Sequence, residues 1–184
     1  MTGEDDADGA KLDRLVKSLR ECGDYAADRD VKLCLENHFG TMTTSATRTA
    51  EILRAIDHPA VGVLYDQANI AFFPAEDYKE ALALLAGRIF HVHVKDLVYR
   101  TGAGPLVCSE VARVDESVRT VHSRIPGEGI LDWPAILKDL AASGYDGWLS
   151  LEYERRWQTI DLPEAAIGMA RAHKYIRSCL AALG

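Results

Sequence analysis

The chain has 184 residues, of which 48% are hydrophobic, and a formal net charge of −7 at pH 7, which fits one globular domain with a sizeable core. The acidic balance and the absence of a basic stripe argue against a nucleic-acid partner, because such binding depends on clustered Lys and Arg. The apolar stretches are too short to cross a membrane, and the start of the chain lacks the basic and apolar regions of a signal peptide, so we expect a cytoplasmic protein.

The chain begins with an acidic segment and continues as one patterned region. We expect residues 1–9 to be a flexible acidic N-terminus and residues 10–184 to form a single domain. The cysteines are scattered and form no C-x-x-C pair: Cys22, Cys34, Cys108 and Cys179. We interpret them as reduced thiols and expect neither a disulfide framework nor a zinc–thiolate site.

Helical and strand-like patterns alternate along this region. Apolar spacing predicts helices over residues 10–27, 46–56 and 77–85, and another from Asp132, as N-cap, to Gly144. Strands are predicted at 31–35, at 60–65, around His91 and His93, and at 148–153. Strands that alternate with helices predict a parallel sheet, and ligands gather at the carboxyl ends of such strands.

Two segments complete the pattern. Residues 97–126 are predicted to be irregular, and a loop of this length in a compact domain favours a functional role. A long terminal helix is predicted to present one apolar face, made of Leu162, Ala166, Met169, His173, Ile176 and Leu180.

A carboxylate or imidazole ends each of the four predicted strands. These residues are Glu36, Asp66, His93 and Glu152, spaced by 30, 27 and 59 residues. In an α/β barrel such strand ends meet at one rim. Three carboxylates and one neutral imidazole suit Mn²⁺, Mg²⁺ or Co²⁺ better than a thiolate-preferring ion, which makes Zn²⁺ less favoured. Each residue alone also has a structural interpretation, such as a strand-end cap for Asp66 or core packing for His93, but the four together favour a metal site.

Other polar residues near these strand ends are candidates to bind substrate. Alternation places His91, His93 and Lys95 on one face, with His93 nearer the strand end and His91 packed more deeply. Lys95 either holds an anionic or hydroxyl-rich substrate, stabilises an enolate, or forms a salt bridge with a neighbouring carboxylate. His38 and Asn69 lie just past their strands, where they either donate hydrogen bonds to substrate oxygens or support their loops.

Five short motifs together carry a family resemblance. They are Leu35-Glu36-Asn37-His38, Tyr65-Asp66-Gln67-Ala68-Asn69, His91-Val92-His93-Val94-Lys95-Asp96, Gly127-Glu128-Gly129, and Gly144-Tyr145-Asp146-Gly147 leading to Leu151-Glu152-Tyr153-Glu154. From about residue 10 to 183 the chain resembles the xylose-isomerase-like TIM-barrel superfamily, the sugar phosphate isomerase/epimerase group. That group also contains hydroxypyruvate isomerases, ketose 3-epimerases, inosose dehydratases and endonuclease-IV-like proteins.

The resemblance implies a set of roles for the strand-end residues. Glu36, Asp66, His93 and Glu152 would be the metal ligands, and Glu36 and Glu152 would also serve as acid and base on opposite faces of the substrate. The implied reaction removes a proton from a carbon beside a carbonyl and passes through an enediolate. Endonuclease-IV-like members carry a metal-binding histidine three residues after the aspartate, where this chain has Asn69, which argues against a three-zinc phosphodiesterase.

The resemblance covers only the C-terminal half of an eight-fold barrel. The opening helix resembles the fourth helix of the family, and the predicted strands resemble the fifth to the eighth. The expected fold is therefore a partial TIM barrel of about four βα units, with two sheet edges exposed. Such a chain is a truncated product, a homo-oligomer that pairs with a copy of itself, or one half of a barrel completed by a separate partner chain.

Three functional hypotheses follow from the resemblance. The first is a divalent-metal-dependent isomerase or epimerase of a sugar or polyol. The second is a lyase, such as a dehydratase, that uses the same metal centre. The third is a catalytically inactive half-barrel that serves as an assembly partner. Aldoses, ketoses, inositols and hydroxypyruvate-like compounds are the substrate classes compatible with the first two hypotheses.

Overall fold

The computed structural model describes residues 9–72, 76–100, 116–155 and 159–184. Its helices are α1 (Gly9–Ala27), α2 (Ala46–Ile56), α3 (Gln67–Ala71), α4 (Tyr78–Leu85), α5 (Trp133–Ala142) and α6 (Ala165–Ala181), with a short 3₁₀ turn at Glu116–Val118. Its strands are β1 (Leu33–Glu36), β2 (Val61–Asp66), β3 (Ile89–Val94), β4 (Asp96–Tyr99), β5 (Val121–Arg124) and β6 (Leu149–Leu151). The four strands β1, β2, β3 and β6 alternate with helices, as the sequence pattern predicts, whereas β4 and β5 follow β3 without an intervening α-helix among these described residues.

Four strands form one parallel sheet in the order β1-β2-β3-β6. Within it, Asp66 pairs with His93, and His93 pairs with Ser150. The parallel arrangement confirms the prediction. Because the strands run in the same direction, their carboxyl ends lie at one edge of the sheet, where the candidate metal ligands were expected.

A β-bulge sets the side-chain alternation of β3. Val63 pairs with Ile89, but Leu64 pairs with His91, so Phe90 is an extra residue in the ladder. In a regular ladder continued from Ile89, Val92 instead of His93 would lie opposite Asp66. The bulge therefore places Asp66 and His93 side by side and facing the same way.

The main hydrophobic core lies between the sheet and its helices. Val63, Tyr65 and Val92 are fully buried there, in one cluster with Ile52 of α2 and Leu85 of α4. Burying a side chain of this kind contributes about 1.5–3 kcal/mol, so this layer anchors β2 and β3. Residues of opposite parity on the same strands face the other side of the sheet, where the candidate site lies.

The local signals at helix ends agree with the structure. The predicted bounds of α2 match the observed helix, whose N-cap Ser45 accepts a hydrogen bond from the Arg48 amide. Asp132 caps α5 as predicted, through the Ala135 amide. The sequence did not predict α3, which begins directly after β2 because the Asp66 carboxylate caps it through the Asn69 amide.

The prediction that residues 97–126 are irregular is wrong at both ends of the segment. Strands β4 and β5 pair there as a two-stranded antiparallel sheet, and residues 101–115 lie outside the described residues. The buried Asp96 carboxylate fixes the return of the chain, because it accepts hydrogen bonds from the amides of Leu97, Gly127 and Leu131. These bonds explain the Gly127-Glu128-Gly129 motif, which brings backbone amides close to Asp96.

The predicted apolar face of the terminal helix is correct only in part. Leu162 is buried but precedes the helix, and Ala166, Met169 and His173 are exposed. Ile176 is buried and Leu180 packs against the core, as predicted, but the other buried residues of the helix are Gly168, Ala172 and Cys179. Small residues face inward because the Tyr153 ring lies against Gly168 and leaves no room for a larger side chain.

The edges of the parallel sheet are formed by β1 and β6 in the described part of the chain. Beside β6, Trp148 is 82% exposed, and an apolar groove between α5 and α6 is lined by residues such as Leu140, Leu149 and Ile176. Within the described residues, no helix has the length and apolar character needed to cross a bilayer. Cys22, Cys34 and Cys179 carry free thiols, whereas Cys108 lies outside the described residues.

Candidate metal centre

The structure brings together the four residues that the sequence predicts as metal ligands. Glu36, Asp66, His93 and Glu152 each offer one ligand atom, and these atoms all lie within 4.8 Å of one another. His93 Nδ1 lies 3.6 Å from Glu36 Oε1, 3.9 Å from Asp66 Oδ2 and 3.3 Å from Glu152 Oε2. Each residue comes from the carboxyl end of a different parallel strand, which is why side chains distant in sequence meet here.

Two buried polar atoms of this cluster, Asp66 Oδ2 and His93 Nδ1, make no well-formed hydrogen bond among the described residues. Their nearest charged neighbours are Lys95 Nζ, 3.3 Å from Asp66 Oδ2, and Glu152 Oε2, 3.3 Å from His93 Nδ1. A buried polar atom without a partner costs about 1–3 kcal/mol, so such atoms call for a ligand. Three carboxylate oxygens and one imidazole nitrogen around a shared point fit a hard divalent ion, and Asp66 Oδ2 and His93 Nδ1 would gain a partner from it.

The charges of the cluster change the pKa values of its own members. Burial lowers the pKa of His93, but the Glu152 and Glu36 carboxylates outweigh burial and raise it to about 9. Burial raises the pKa of Glu152, but the positive charges of His93 and Lys95 beside it hold it well below its usual range. Complete burial raises the pKa of Asp66 to about 7, against the attraction of Lys95. The site is therefore a compact set of strongly coupled charges.

Lys95 is a buried cation within this cluster. Its side chain is 7% exposed, and its Nζ lies 2.7 Å from Glu152 Oε2, 3.3 Å from Asp66 Oδ2 and 3.4 Å from Glu154 Oε2. Burial lowers the pKa of Lys95, but these carboxylates outweigh burial and raise it above the usual range. The lysine is therefore a fixed positive charge. Of the interpretations that the sequence allows for Lys95, the salt bridge with neighbouring carboxylates describes these contacts.

Asn37 holds the strand end that carries Asp66. Its Nδ2 donates to the Asp66 carbonyl oxygen at 2.7 Å, and its Oδ1 accepts from the Asp66 amide at 2.9 Å. Asn37 is fully buried, so water does not compete for these bonds. The end of β1 and the end of β2 are thus joined beyond their last ladder pair.

The three predicted substrate-binding residues lie in different settings. Lys95 lies inside the ligand cluster. Asn69 is fully buried below it, with Nδ2 3.1 Å from the Asn37 carbonyl oxygen and 3.4 Å from Glu36 Oε1. His38 is half-buried, and its Nδ1 lies 2.7 Å from the Phe39 carbonyl oxygen. A carbonyl oxygen only accepts, so Nδ1 carries the proton and Nε2 of the neutral ring is an acceptor.

His91 precedes His93 by two residues in β3 and shares its face of the strand. Its Nε2 is 2.7 Å from Ser150 Oγ, and its ring meets the His93 ring edge to face at 5.9 Å. Burial lowers the pKa of His91. This placement agrees with the interpretation of His91 as a packed residue behind the site.

Two residues that contribute to the site were not singled out from the sequence. Asn37 appears there only as part of a motif, and its role depends on a contact with a residue 29 positions away. Glu154 was quoted beside Glu152 but given no role. Strand alternation offered a signal for Glu154, because positions 152 and 154 share a face when the extended backbone continues past the strand.

The family model described as xylose isomerase-like TIM barrel matches residues 1–179. An inosose dehydratase from Geobacillus thermodenitrificans is 29% identical over 165 residues, which cover 90% of this chain and 53% of the relative. This chain spans about half the length of the curated relatives that it matches, with 53% and 46% of two of them covered.

Solved structures share the fold. A xylose isomerase-like TIM barrel protein from Mycobacterium smegmatis, in complex with magnesium, has a TM-score of 0.72 at 21% identity, over 96% of this chain and 53% of that one. A D-psicose 3-epimerase from Clostridium cellulolyticum, with D-tagatose, has a TM-score of 0.70 at 19% identity, over 96% of this chain and 59% of that one. By the family model and the shared fold, this chain belongs to the xylose isomerase-like TIM barrel family.

Proposed function

We propose that this chain carries the divalent-metal centre of an isomerase or epimerase that removes a proton from carbon in a sugar or polyol. The observation that carries the proposal is the convergence of four ligand atoms within 4.8 Å of one another. Mn²⁺, Mg²⁺ or Co²⁺ would be held by Glu36, Asp66, His93 and Glu152. When bound, the ion would polarise the substrate carbonyl and so acidify the neighbouring C–H.

Glu36 and Glu152 would move the proton. Both carboxylates have lowered pKa values, so both are ionised at neutral pH, as a general base must be. The positive charges of His93 and Lys95 that keep Glu152 ionised also weaken it as a base, because basicity falls with pKa. A substrate that draws the Lys95 ammonium towards its own oxygens would release Glu152 and make it a stronger base.

Lys95 and His38 would bind the substrate oxygens. The raised pKa of Lys95 makes it a poor proton donor but a stable positive charge, suited to an enolate oxygen. His38 Nε2 would accept a hydrogen bond from a substrate hydroxyl. Asn69 lies below Glu36, so it would act on the substrate chiefly by orienting that carboxylate.

The first experiment measures divalent metal per chain in the eluted peak of a sizing column that also reports mass. After Mn²⁺ loading we expect about one ion per chain in the wild type and a loss of that ion in His93→Ala. His173→Ala, which removes an exposed histidine from α6, is the matched control and should keep the ion. A wild-type chain without metal, or a His93→Ala variant that retains it, would contradict the proposed centre.

The second experiment follows the reaction itself. Incubation of the metal-loaded protein with D-tagatose or an inosose in deuterated water should exchange a proton next to the carbonyl. Glu152→Gln should abolish the exchange, whereas Glu51→Gln on the exposed face of α2 should not change it. Equal exchange in the presence of a chelator would show that the reaction does not need the ion.

Dehydration is the second candidate function, and the relatives named inosose dehydratases favour it. A dehydratase begins with the same abstraction of a proton from carbon and then expels a hydroxyl group as water. The same deuterium experiment separates the two functions. An isomerase or epimerase returns deuterium to the carbon and yields an isomer, whereas a dehydratase yields an unsaturated or keto product that is lighter by one water.

The other half of the barrel would come from outside this sequence. Edge strands β1 and β6, the exposed Trp148 and the adjoining apolar groove support association with four further βα units. These would belong to a second copy, to a separate chain, or to the longer protein of which this chain would be a truncated product. An inactive half-barrel with a role in assembly is the remaining alternative, and metal binding without proton exchange in every assembly of the chain would favour it.

A further inference from the structure

Lys95 contacts the same oxygen atoms that the proposed ion needs. Its Nζ lies 2.7 Å from Glu152 Oε2 and 3.3 Å from Asp66 Oδ2. Those two oxygens are also the ones that face His93 Nδ1, at 3.3 Å and 3.9 Å. The ammonium group and the ligand set therefore converge on two shared atoms.

Two cations that share these oxygens oppose each other. The ion and the ammonium group would lie a few ångströms apart, and repulsion at that distance is strong where water is largely excluded. Lys95 is 7% exposed and Asp66 is fully buried, so solvent screens this repulsion poorly. Each oxygen must also divide its attraction between the two positive charges.

Glu154 offers the ammonium group another partner. Its Oε2 lies 3.4 Å from Lys95 Nζ, and its side chain is 27% exposed. Glu154 is not among the residues whose ligand atoms converge with His93. It can therefore attract the ammonium group without giving up an oxygen that the ion uses.

We propose that Lys95 and the divalent ion compete for Asp66 and Glu152, and that Glu154 is a positioning residue which favours the ion by holding the Lys95 ammonium group. This inference rests on the proposed metal centre and adds that two further residues determine how tightly the centre binds its ion. Lys95 lowers the affinity of the site, and Glu154, acting through Lys95, raises it.

The test is a calorimetric titration of the purified chain with Mn²⁺ alone. Lys95→Met removes the competing charge and should tighten ion binding by about tenfold or more. Glu154→Gln leaves the lysine with only the ligand oxygens and should weaken binding by roughly threefold to tenfold. Because Glu154 is partly exposed and Lys95 keeps two other partners, this second variant should fold even where Lys95→Met does not.

The double variant separates an effect through Lys95 from a direct charge effect. If Glu154 acts through the lysine, Glu154→Gln should change affinity by less than about twofold in the Lys95→Met background. If Glu154 attracts the ion directly, the loss of affinity will be equal in both backgrounds, and the positioning role is overturned. Glu51→Gln, which removes the same unit charge from α2, should leave the affinity unchanged.

The outcomes distinguish this inference from the metal centre on which it rests. Absence of Mn²⁺ binding in both the wild type and Lys95→Met would overturn the ion centre and the competition together. Binding by the wild type with equal or weaker affinity in Lys95→Met would overturn the competition alone. Tighter binding in Lys95→Met and weaker binding in Glu154→Gln would support both parts of the proposal.

Discussion

Asn37 bridges both backbone polar groups of Asp66, donating to its carbonyl oxygen at 2.7 Å and accepting from its amide at 2.9 Å. Asp66 still pairs with His93 of β3, but on its other side it lies beyond the last ladder pair between β1 and β2. The side-chain bridge takes the place of the next pair. It sets the direction in which the Asp66 carboxylate leaves the backbone, and so connects the folding of β1 to the geometry of the metal centre.

Replacing Asn37 by Ala should affect both stability and ion binding. It leaves two buried backbone groups unpaired, and we expect a loss of about 2–4 kcal/mol in the free energy of unfolding. Ion affinity should fall by about 10- to 100-fold, because Asp66 is no longer oriented. Denaturant unfolding and Mn²⁺ titration measure the two effects.

Thr49→Val is the control for that prediction. It removes a buried hydroxyl that bonds to the Ser45 carbonyl oxygen at 2.7 Å, within α2 and away from the cluster. It should lower stability without changing ion affinity. If Asn37→Ala and Thr49→Val change ion affinity equally, the bridge has no special role in orienting Asp66.

Ion binding should stabilise the folded chain. A ligand at about 100 times its dissociation constant adds about 2.7 kcal/mol to the free energy of unfolding. We expect the thermal midpoint to rise on addition of Mn²⁺ and to return to its starting value with a chelator. Glu36→Gln should abolish the rise, and a rise of the same size in this variant would mean that the ion binds elsewhere.

A methyl group at position 129 should disrupt the return from β5 to α5. A Cβ on Gly129 would collide with Asp96 Oδ1 and the Leu97 carbonyl oxygen. Crowding of this kind costs about 1–3 kcal/mol, and it would also disturb the amides that bind the Asp96 carboxylate. Gly129→Ala should therefore lower the free energy of unfolding by at least about 2 kcal/mol.

Gly9→Ala is the matched change, because nothing lies near a Cβ at that position. It should change stability by less than about 0.5 kcal/mol. Equal unfolding free energies for the two alanine variants would show that the contact between Gly129 and Asp96 is not maintained in solution.

An ion pair outside the metal centre should make stability depend on acid pH. Asp161 is buried against Arg119, with Nη1 3.0 Å from Oδ1, and also accepts from the Ser123 amide at 2.8 Å. Burial raises the pKa of Asp161, but these partners outweigh it and lower the pKa below its usual value. Its contribution to stability is therefore present above the unfolded pKa, near 3.9, and is lost as the pH falls through the folded pKa.

Asp161→Asn should cost up to about 3 kcal/mol at neutral pH, because it removes the buried counter-charge of Arg119 and leaves that guanidinium only the half-exposed Glu116. The difference between wild type and variant should shrink as the pH falls below about 4. Glu164→Gln, which breaks the exposed pair with Arg155, should cost less than about 1 kcal/mol. Denaturant unfolding at a series of pH values gives the curves, and a constant difference across the series would exclude the proposed linkage.

Local and periodic signals predicted much of this molecule. The bounds of α2 follow from Ser45 and the apolar spacing, and the rule that parallel strands end at one edge brought Glu36 and Glu152 into one cluster before any contact was known. The hydrogen bonds between Asn37 and Asp66 could not be predicted from the sequence, because no local pattern specifies a contact between a side chain on one strand and the backbone of another.

The errors have a related cause. The terminal helix was judged by its larger side chains, such as Met169, but tertiary packing against Tyr153 favoured Gly168 on the inner face. The sequence does not predict the β4–β5 pair, because its two strands are short. They are held by the buried Asp96 carboxylate, and an aspartate at this position is also typical of a polar loop. In both places a single long-range contact outweighed the local pattern.

The extra residue Phe90 in β3 has a consequence for how this chain tolerates change. Insertions and deletions in evolving proteins accumulate in connections such as the one between α4 and β3, and in a regular strand a one-residue change there would turn His93 towards the helices. A bulge can absorb that change, because gaining or losing the unpaired residue leaves the pairing of His93 with Asp66 intact. The opening of the strand is thereby free to vary in length while the ligand at its far end keeps its place.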